Sequence, residues 1–294
     1  MATIKETLTT ATISLSSLYE KQHSKTVALW LLKKVTGKQS AHLLSHGDEF
    51  VSEEQLITLR KYVTQLTSDN YPLQYILGSV SFGPLEIICE PPVLIPRPET
   101  EQWVEKLITK LTAFKDLPLT ILDMCTGSGC IGLALAHGFK NSTVHAVDNA
   151  PHALALAQKN AAHNTIKNFV VHNSDGFTNL NPSLEFDLIV SNPPYITDSE
   201  FKTLEPVVTQ WEDKHALVAA DEGLALYKQF AHDAPVRLKK QSPIATRFVV
   251  EIGSNQGQSV SSLFAVAGFS NVTVKQDNNQ KDRTVWAEIS KNLP

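Results

Sequence analysis

The 294-residue chain predicts an α/β fold: a mostly parallel sheet with helices on both faces, preceded by a smaller helical region. Three observations carry this prediction. Short apolar runs and helix-period segments alternate after Glu99. The runs are near-continuously apolar, as strands buried on both faces must be. Residues 1–78 instead repeat apolar residues at spacings of three and four.

In chain order, Thr26–Val35 and Glu53–Leu66 are the clearest early helices, the second opened by Ser52 and two glutamates. Ser68-Asp69-Asn70-Tyr71-Pro72 stops that helix. Phe82–Cys89 reads as a short strand or hairpin and leads into the proline-rich Pro91–Pro98. Strands are then expected at Leu119–Met124, Thr143–Val147, Phe169–His172, Phe186–Ser191, Phe248–Ile252, Val272–Val274 and Thr284–Ile289. Helices are expected at Ile131–His137, Ala150–His163, Gly223–Ala231 and Ser259–Ala267. The domain boundaries follow: 1–78 helical, 79–98 a hairpin and linker, 99–294 the α/β domain.

Composition narrows the function. Hydrophobic residues make up 42% and charged residues 19%, which suits a packed core rather than a disordered chain. A net charge of −4 gives no overall pull toward nucleic acid or anionic lipid. Cys89, Cys125 and Cys130 form no disulfide framework and fit a reducing compartment. The N-terminus has no apolar core of the secretory kind, and no run is long enough to span a bilayer, so a cytoplasmic protein without membrane attachment is expected. No CxxC or HExxH spacing occurs, so no metal site is expected.

The first strand of the alternating region runs into Cys125-Thr126-Gly127-Ser128-Gly129 and then a helix, with Gly132 completing a GxGxxG. Glycines there let the backbone pass close beneath a nucleoside. Asp148 ends the next strand, where a carboxylate accepts hydrogen bonds from ribose hydroxyls. The pair indicates a nucleoside site and leaves a nicotinamide dehydrogenase open.

Asn192-Pro193-Pro194-Tyr195 ends the fourth strand, on the same sheet edge. An amide nitrogen is a poor nucleophile because its lone pair is delocalised into the carbonyl. The Asn192 side-chain oxygen and the Pro193 carbonyl suit the role of joint acceptors for its two N–H groups, aiming the lone pair at an electrophilic methyl group. Pro193 and Pro194 stiffen the turn and carry no competing N–H, and Tyr195 offers a flat face to a planar group. The combination points to transfer of a methyl group to an amide or amine nitrogen.

Further segments carry a resemblance. Pro72–Gly78, Val93–Glu101, Ala216–Gly223 and Glu251-Ile252-Gly253 resemble the glutamine methyltransferases of peptide chain release factors, the PrmC/HemK family, from about residue 25 onward. The resemblance implies a Rossmann-like class I methyltransferase with a seven-stranded mixed sheet, behind a helical domain at 1–78 that docks the substrate protein. It implies S-adenosyl-L-methionine as cofactor, S-adenosyl-L-homocysteine as product, and the glutamine of a Gly-Gly-Gln loop in class I release factors as substrate. Cofactor roles fall on Cys125, Thr126, Gly127, Ser128, Gly129, Asp148, Asp175, Gly176 and Asn192. Substrate roles fall on Asn192, Pro193, Pro194 and Tyr195, with Asn192, Pro193 and Tyr195 catalytic. A monomer that binds no nucleic acid is expected.

This chain departs from the family pattern in places. Cys125 replaces a usual glycine and is expected to keep a negative backbone angle. Gly176 replaces an aromatic found in some relatives, so Phe177 or Asp175 is expected to take over the adenine contact. Trp211-Glu212-Asp213 replaces Tyr-Glu-Pro. Arg97-Pro98-Glu99 is read either as an ion-paired hinge or as part of the active site. A glutamine methyltransferase of a ribosomal protein is one alternative; that branch carries Pro-Arg-Ser-Pro where this chain has Pro-Arg-Pro-Glu. An adenine-N(6) nucleic-acid methyltransferase is another, but eight Lys/Arg against seven Asp/Glu in residues 1–80 is too neutral for a duplex binder.

Overall fold

A computed structural model describes residues 2–289. Described residues up to Gly78, with Glu205–Trp211, form one compact unit, and Ser79–Leu204 with the described residues from Glu212 onward form the other. The expected α/β boundary at 294 extends beyond the described residues.

The first unit contains β1 (Ala2–Thr3), α1 (Ile4–Leu15), α2 (Lys21–Thr36), α3 (Ser40–Ser45), β2 (Phe50–Val51), α4 (Glu53–Thr67) and α5 (Leu73–Leu77). The sequence reading took residues 1–78 as helical without setting bounds for α1, where Ile4, Leu8, Ala11 and Leu15 recur at spacings of four and three. A capping box between Thr3 and Glu6 starts it, and Ile4, Ala11 and Leu15 bury one face. The same device, Ser52 with Gln55, opens α4. Leu31 and Leu32 of α2 and Leu56 and Leu59 of α4 fill the core between them. Trp211 joins this unit through its indole N–H to the Asp69 carbonyl at 3.0 Å and its edge-on contact with Tyr71. Near α3, the Glu49 carboxylate gathers His42 and the Lys38 ammonium.

The second unit opens with a hairpin, β3 (Ser79–Phe82) and β4 (Leu85–Ile88), turned at Gly83-Pro84, and then α6 (Pro98–Lys110). The sheet follows: β5 (Thr120–Met124), α7 (Cys130–Gly138), β6 (Thr143–Asp148), α8 (Pro151–His163), β7 (Phe169–Asn173), β8 (Leu188–Ser191), α9 (Ala225–Asp233), β9 (Thr246–Glu251), α10 (Gly257–Val266), β10 (Phe269–Gln276) and β11 (Asp282–Ile289). Strand order is β10-β11-β9-β8-β5-β6-β7, with β5 to β9 parallel and β10 and β11 antiparallel, the expected seven-stranded mixed sheet. All seven residues Cys130–Ala136 of α7 are buried, which explains that helix's uniformly apolar sequence.

Several boundaries differ from the sequence reading, and two have a local cause. The strand expected at Phe186 begins at Leu188, because Phe186 makes only an isolated bridge with Leu238. The helix expected from Gly223 begins at Ala225, because Asp221, Glu222 and Gly223 take left-handed backbone angles. Among the described residues, no helix is long and apolar enough to cross a membrane.

Candidate active site

The site forms where β5, β6 and β8 end, as ligand sites of open parallel sheets do. After β5 the chain turns sharply. The Thr126 amide donates to the Val147 carbonyl at 2.9 Å, and the Thr126 hydroxyl donates to Asp123 Oδ2 at 2.6 Å. Asp123 Oδ2 also accepts from the Gly132 amide at 2.9 Å, tying the first turn of α7 back to β5. Asp123 is fully buried and its Oδ1 has no partner, so burial pushes its pKa up to about 7.

Asp148, at the end of β6, is fixed on both oxygens: Oδ2 accepts from the Gly127 amide at 2.9 Å and Oδ1 from the Ala150 amide at 3.0 Å. Each oxygen has a second lone pair for a ligand. A cavity of about 310 Å³ opens beside it, within the range of small-molecule sites. Of the sequence-predicted residues, Cys125, Gly127, Asp148, Asp175, Gly176, Asn192 and Pro194 line this cavity together. Thr126 and Ser128 are instead buried behind the loop, and the Ser128 carbonyl accepts from Asn160. Gly129 is the N-cap of α7.

The Asn192–Tyr195 turn follows β8. Pro193 is buried. Tyr195 packs half-buried against the core, and its backbone is held by the Leu217 carbonyl at 3.1 Å and by the Gln256 side chain at 3.0 Å. Burial and the Glu251 carboxylate raise the Tyr195 pKa, so the phenol is neutral. The Asn192 side-chain amide donates to the Thr100 hydroxyl at 3.4 Å.

The cavity wall carries three carboxylates, Asp148, Asp175 and Asp213, and neither lysine nor arginine. Such a wall repels a pyrophosphate and attracts a cation, which removes the support for a dinucleotide. The sequence reading did not place Asp213 here. Its carboxylate lies 3.4 Å from His152 and 3.0 Å from His215, while its amide donates to the Pro92 carbonyl, a bond that proline at this position would lack. Glu212 pairs with Arg97 through both its oxygens at 2.8 and 2.6 Å, giving the Arg97 stretch an ion-pairing role within the unit.

Residues 6–78 match the PrmC N-terminal domain family, and residues 105–210 match the methyltransferase small domain family. The release factor glutamine methyltransferase of Bacillus subtilis is 36% identical over 99% of this chain and 100% of its own length. That of Escherichia coli is 34% identical over 92% and 94%. The chain belongs to the release factor glutamine methyltransferase family. The catalytic domain of hMettl16, at 16% identity and a TM-score of 0.57 over 83% of this chain and 84% of its own, shares the fold.

Two departures of this release factor glutamine methyltransferase family member resolve differently from the sequence expectation. Cys125 has φ of 58°, not a negative angle, because the loop needs the left-handed turn that glycine usually supplies. Phe177 does not reach the cavity. It is buried in the core, with the Arg237 guanidinium 5.7 Å from its ring, and Leu226 and Phe230 supply the apolar wall. Gly176 fits its place for two reasons: its φ is 54°, and a Cβ there would sit 2.6 Å from Gln229 Nε2.

Proposed function

We propose that this protein transfers a methyl group from S-adenosylmethionine to the side-chain amide nitrogen of the glutamine in the Gly-Gly-Gln loop of class I release factors. The observation that carries the reading is the single cavity that joins the acidic Asp148 wall to Asn192 and Pro194. The cavity fits the cofactor: Asp148 is prepositioned for a ribose diol, Leu226 and Phe230 give an apolar wall, and the carboxylates suit a cationic ligand. When bound, S-adenosylmethionine supplies an electrophilic methyl group on a sulfonium sulfur.

The chain's own residues do the rest. Asp148, Asp175 and the backbone around Cys125, Gly127 and Gly176 hold the cofactor. Asn192 Oδ1 and the Pro193 carbonyl accept the two N–H groups of the glutamine amide and aim its lone pair along the transfer direction. The positive charge that would grow on that nitrogen as it takes the methyl group would be stabilised by these two acceptors. The alkylated nitrogen is acidic and gives its proton to water, so no strong base is required beforehand. The helical unit at residues 1–78 docks the release factor, and the protein acts as a cytoplasmic monomer.

The test is transfer of labelled methyl from S-adenosylmethionine to a purified class I release factor, with a Gly-Gly-Ala factor as control. Label on the normal factor alone is expected. Label on both factors, or on neither, would overturn the substrate assignment.

A further inference from the structure

Asn192 functions as an acceptor only if its amide is the right way round, because the oxygen and the NH2 group have the same shape and opposite hydrogen-bonding sense. A buried chain of side chains fixes that sense. The Trp103 indole N–H donates to Glu251 Oε2 at 2.8 Å, and the Thr100 hydroxyl donates to the same oxygen at 2.6 Å. Thr100 and Glu251 are each 2% exposed, and Trp103 3%. An indole N–H only donates, so the Glu251 oxygen facing it stays an acceptor. That oxygen takes the one hydroxyl proton of Thr100. The Thr100 oxygen is then left with lone pairs alone, and only the NH2 group of Asn192 can face it, at 3.4 Å. With Oδ1 toward Thr100, two acceptors would oppose each other in a buried place.

We infer that Thr100 and Glu251 are positioning residues for the transfer: through the donor-only indole of Trp103 they set the amide of Asn192 so that its oxygen faces the substrate nitrogen. This rests on the functional reading above. Thr100 stands in α6 and Glu251 ends β9, so three elements distant in sequence converge on one amide. The chain does not touch the cofactor cavity: neither Thr100, Trp103 nor Glu251 lines it. The residues therefore act on the rate through Asn192 and leave cofactor binding alone.

Thr100→Val keeps the shape and removes the oxygen. It should lower kcat for the release factor roughly 10- to 100-fold, as a misplaced group at the reacting centre does. KM for the factor and the calorimetric Kd for S-adenosylmethionine should stay near wild type, while Tm falls by a few degrees because Glu251 Oε2 loses a buried donor. Thr100→Ser should restore most of kcat. In the Asn192→Ala background, Thr100→Val should have no further effect on the residual rate, because the group it orients is gone. Wild-type kcat in Thr100→Val would overturn the inference. So would a parallel loss of Tm and cofactor affinity that Ser does not repair, or additive effects in the double variant. An unmodified factor with wild-type protein that binds S-adenosylmethionine would overturn the functional reading first, and this one with it.

Discussion

At Cys125 a side chain occupies a backbone conformation that favours glycine, φ 58°, at a cost of about 1–2 kcal/mol. Glycine would remove that strain and also lose the thiol's packing and add freedom to the unfolded chain, about 0.5–1 kcal/mol. Cys125→Gly should therefore leave Tm within a few degrees and methyl transfer unchanged. Cys125→Val adds a branched Cβ at the same positive φ and should lower stability by about 1–3 kcal/mol in urea unfolding. Burial raises the thiol's pKa, and the Asp148 carboxylate adds to the rise, so the thiolate is scarce at neutral pH. Iodoacetamide should label Cys125 slowly in the native protein at pH 7.5 and quickly in urea. Asn192 and Asp148 divide by function. Asn192→Ala should cut transfer to a small residual rate with cofactor binding retained, whereas Asp148→Ala should mainly weaken cofactor binding in a titration.

Among the connecting elements, the segment Ala219–Leu224 braces the Asn192–Tyr195 turn. Asp221, Glu222 and Gly223 are all left-handed, and a Cβ on Gly223 would lie 2.1 Å from the Tyr195 carbonyl oxygen and 2.7 Å from Gln256 Nε2. Backbone oxygen cannot yield by that amount, so Gly223→Ala must shift the turn itself. It should lower kcat by an order of magnitude or more and destabilise by about 1–3 kcal/mol. Normal kcat with wild-type Tm would show that the turn does not depend on this contact. Elements like this mark the limit of what sequence shows. The parallel strands and the place of Asp148 at the end of β6 were legible because strands buried on both faces read as apolar runs. The turn after β8 was legible because Asn-Pro-Pro marks a turn and cannot continue a strand. The start of helix α1 was not, since it rests on a side-chain cap between Thr3 and Glu6, although Ile4, Leu8, Ala11 and Leu15 carry the helical period. The Trp103–Glu251–Thr100 chain was not, since its members are about 150 residues apart and only the fold makes them neighbours. Asp213 in the cavity wall was hidden for the same reason.

For the molecule as a whole, Asp123 ties stability to pH. It lies in the central strand β5, accepts from Thr126 and Gly132 through one oxygen, and has no partner for the other. Burial raises its native pKa from 3.8 to about 7. Below pH 3.8 the carboxyl is protonated in both folded and unfolded chains and contributes no pH dependence. Between 3.8 and about 7 the unfolded chain has released the proton and the native one holds it. Stability then falls by about 1.4 kcal/mol for each pH unit from this group alone. Above pH 7 both forms are ionised and the slope vanishes. Asp123→Asn offers its oxygen to Thr126 and Gly132 and its NH2 where the unpaired oxygen was, much as the protonated acid does. The variant should therefore gain stability relative to wild type as pH rises from 5 to 7.5, by on the order of 3 kcal/mol in urea unfolding. Parallel pH profiles for the two proteins would mean that Asp123 is ionised throughout this range, and that the Gly132 and Thr126 bonds outweigh its burial.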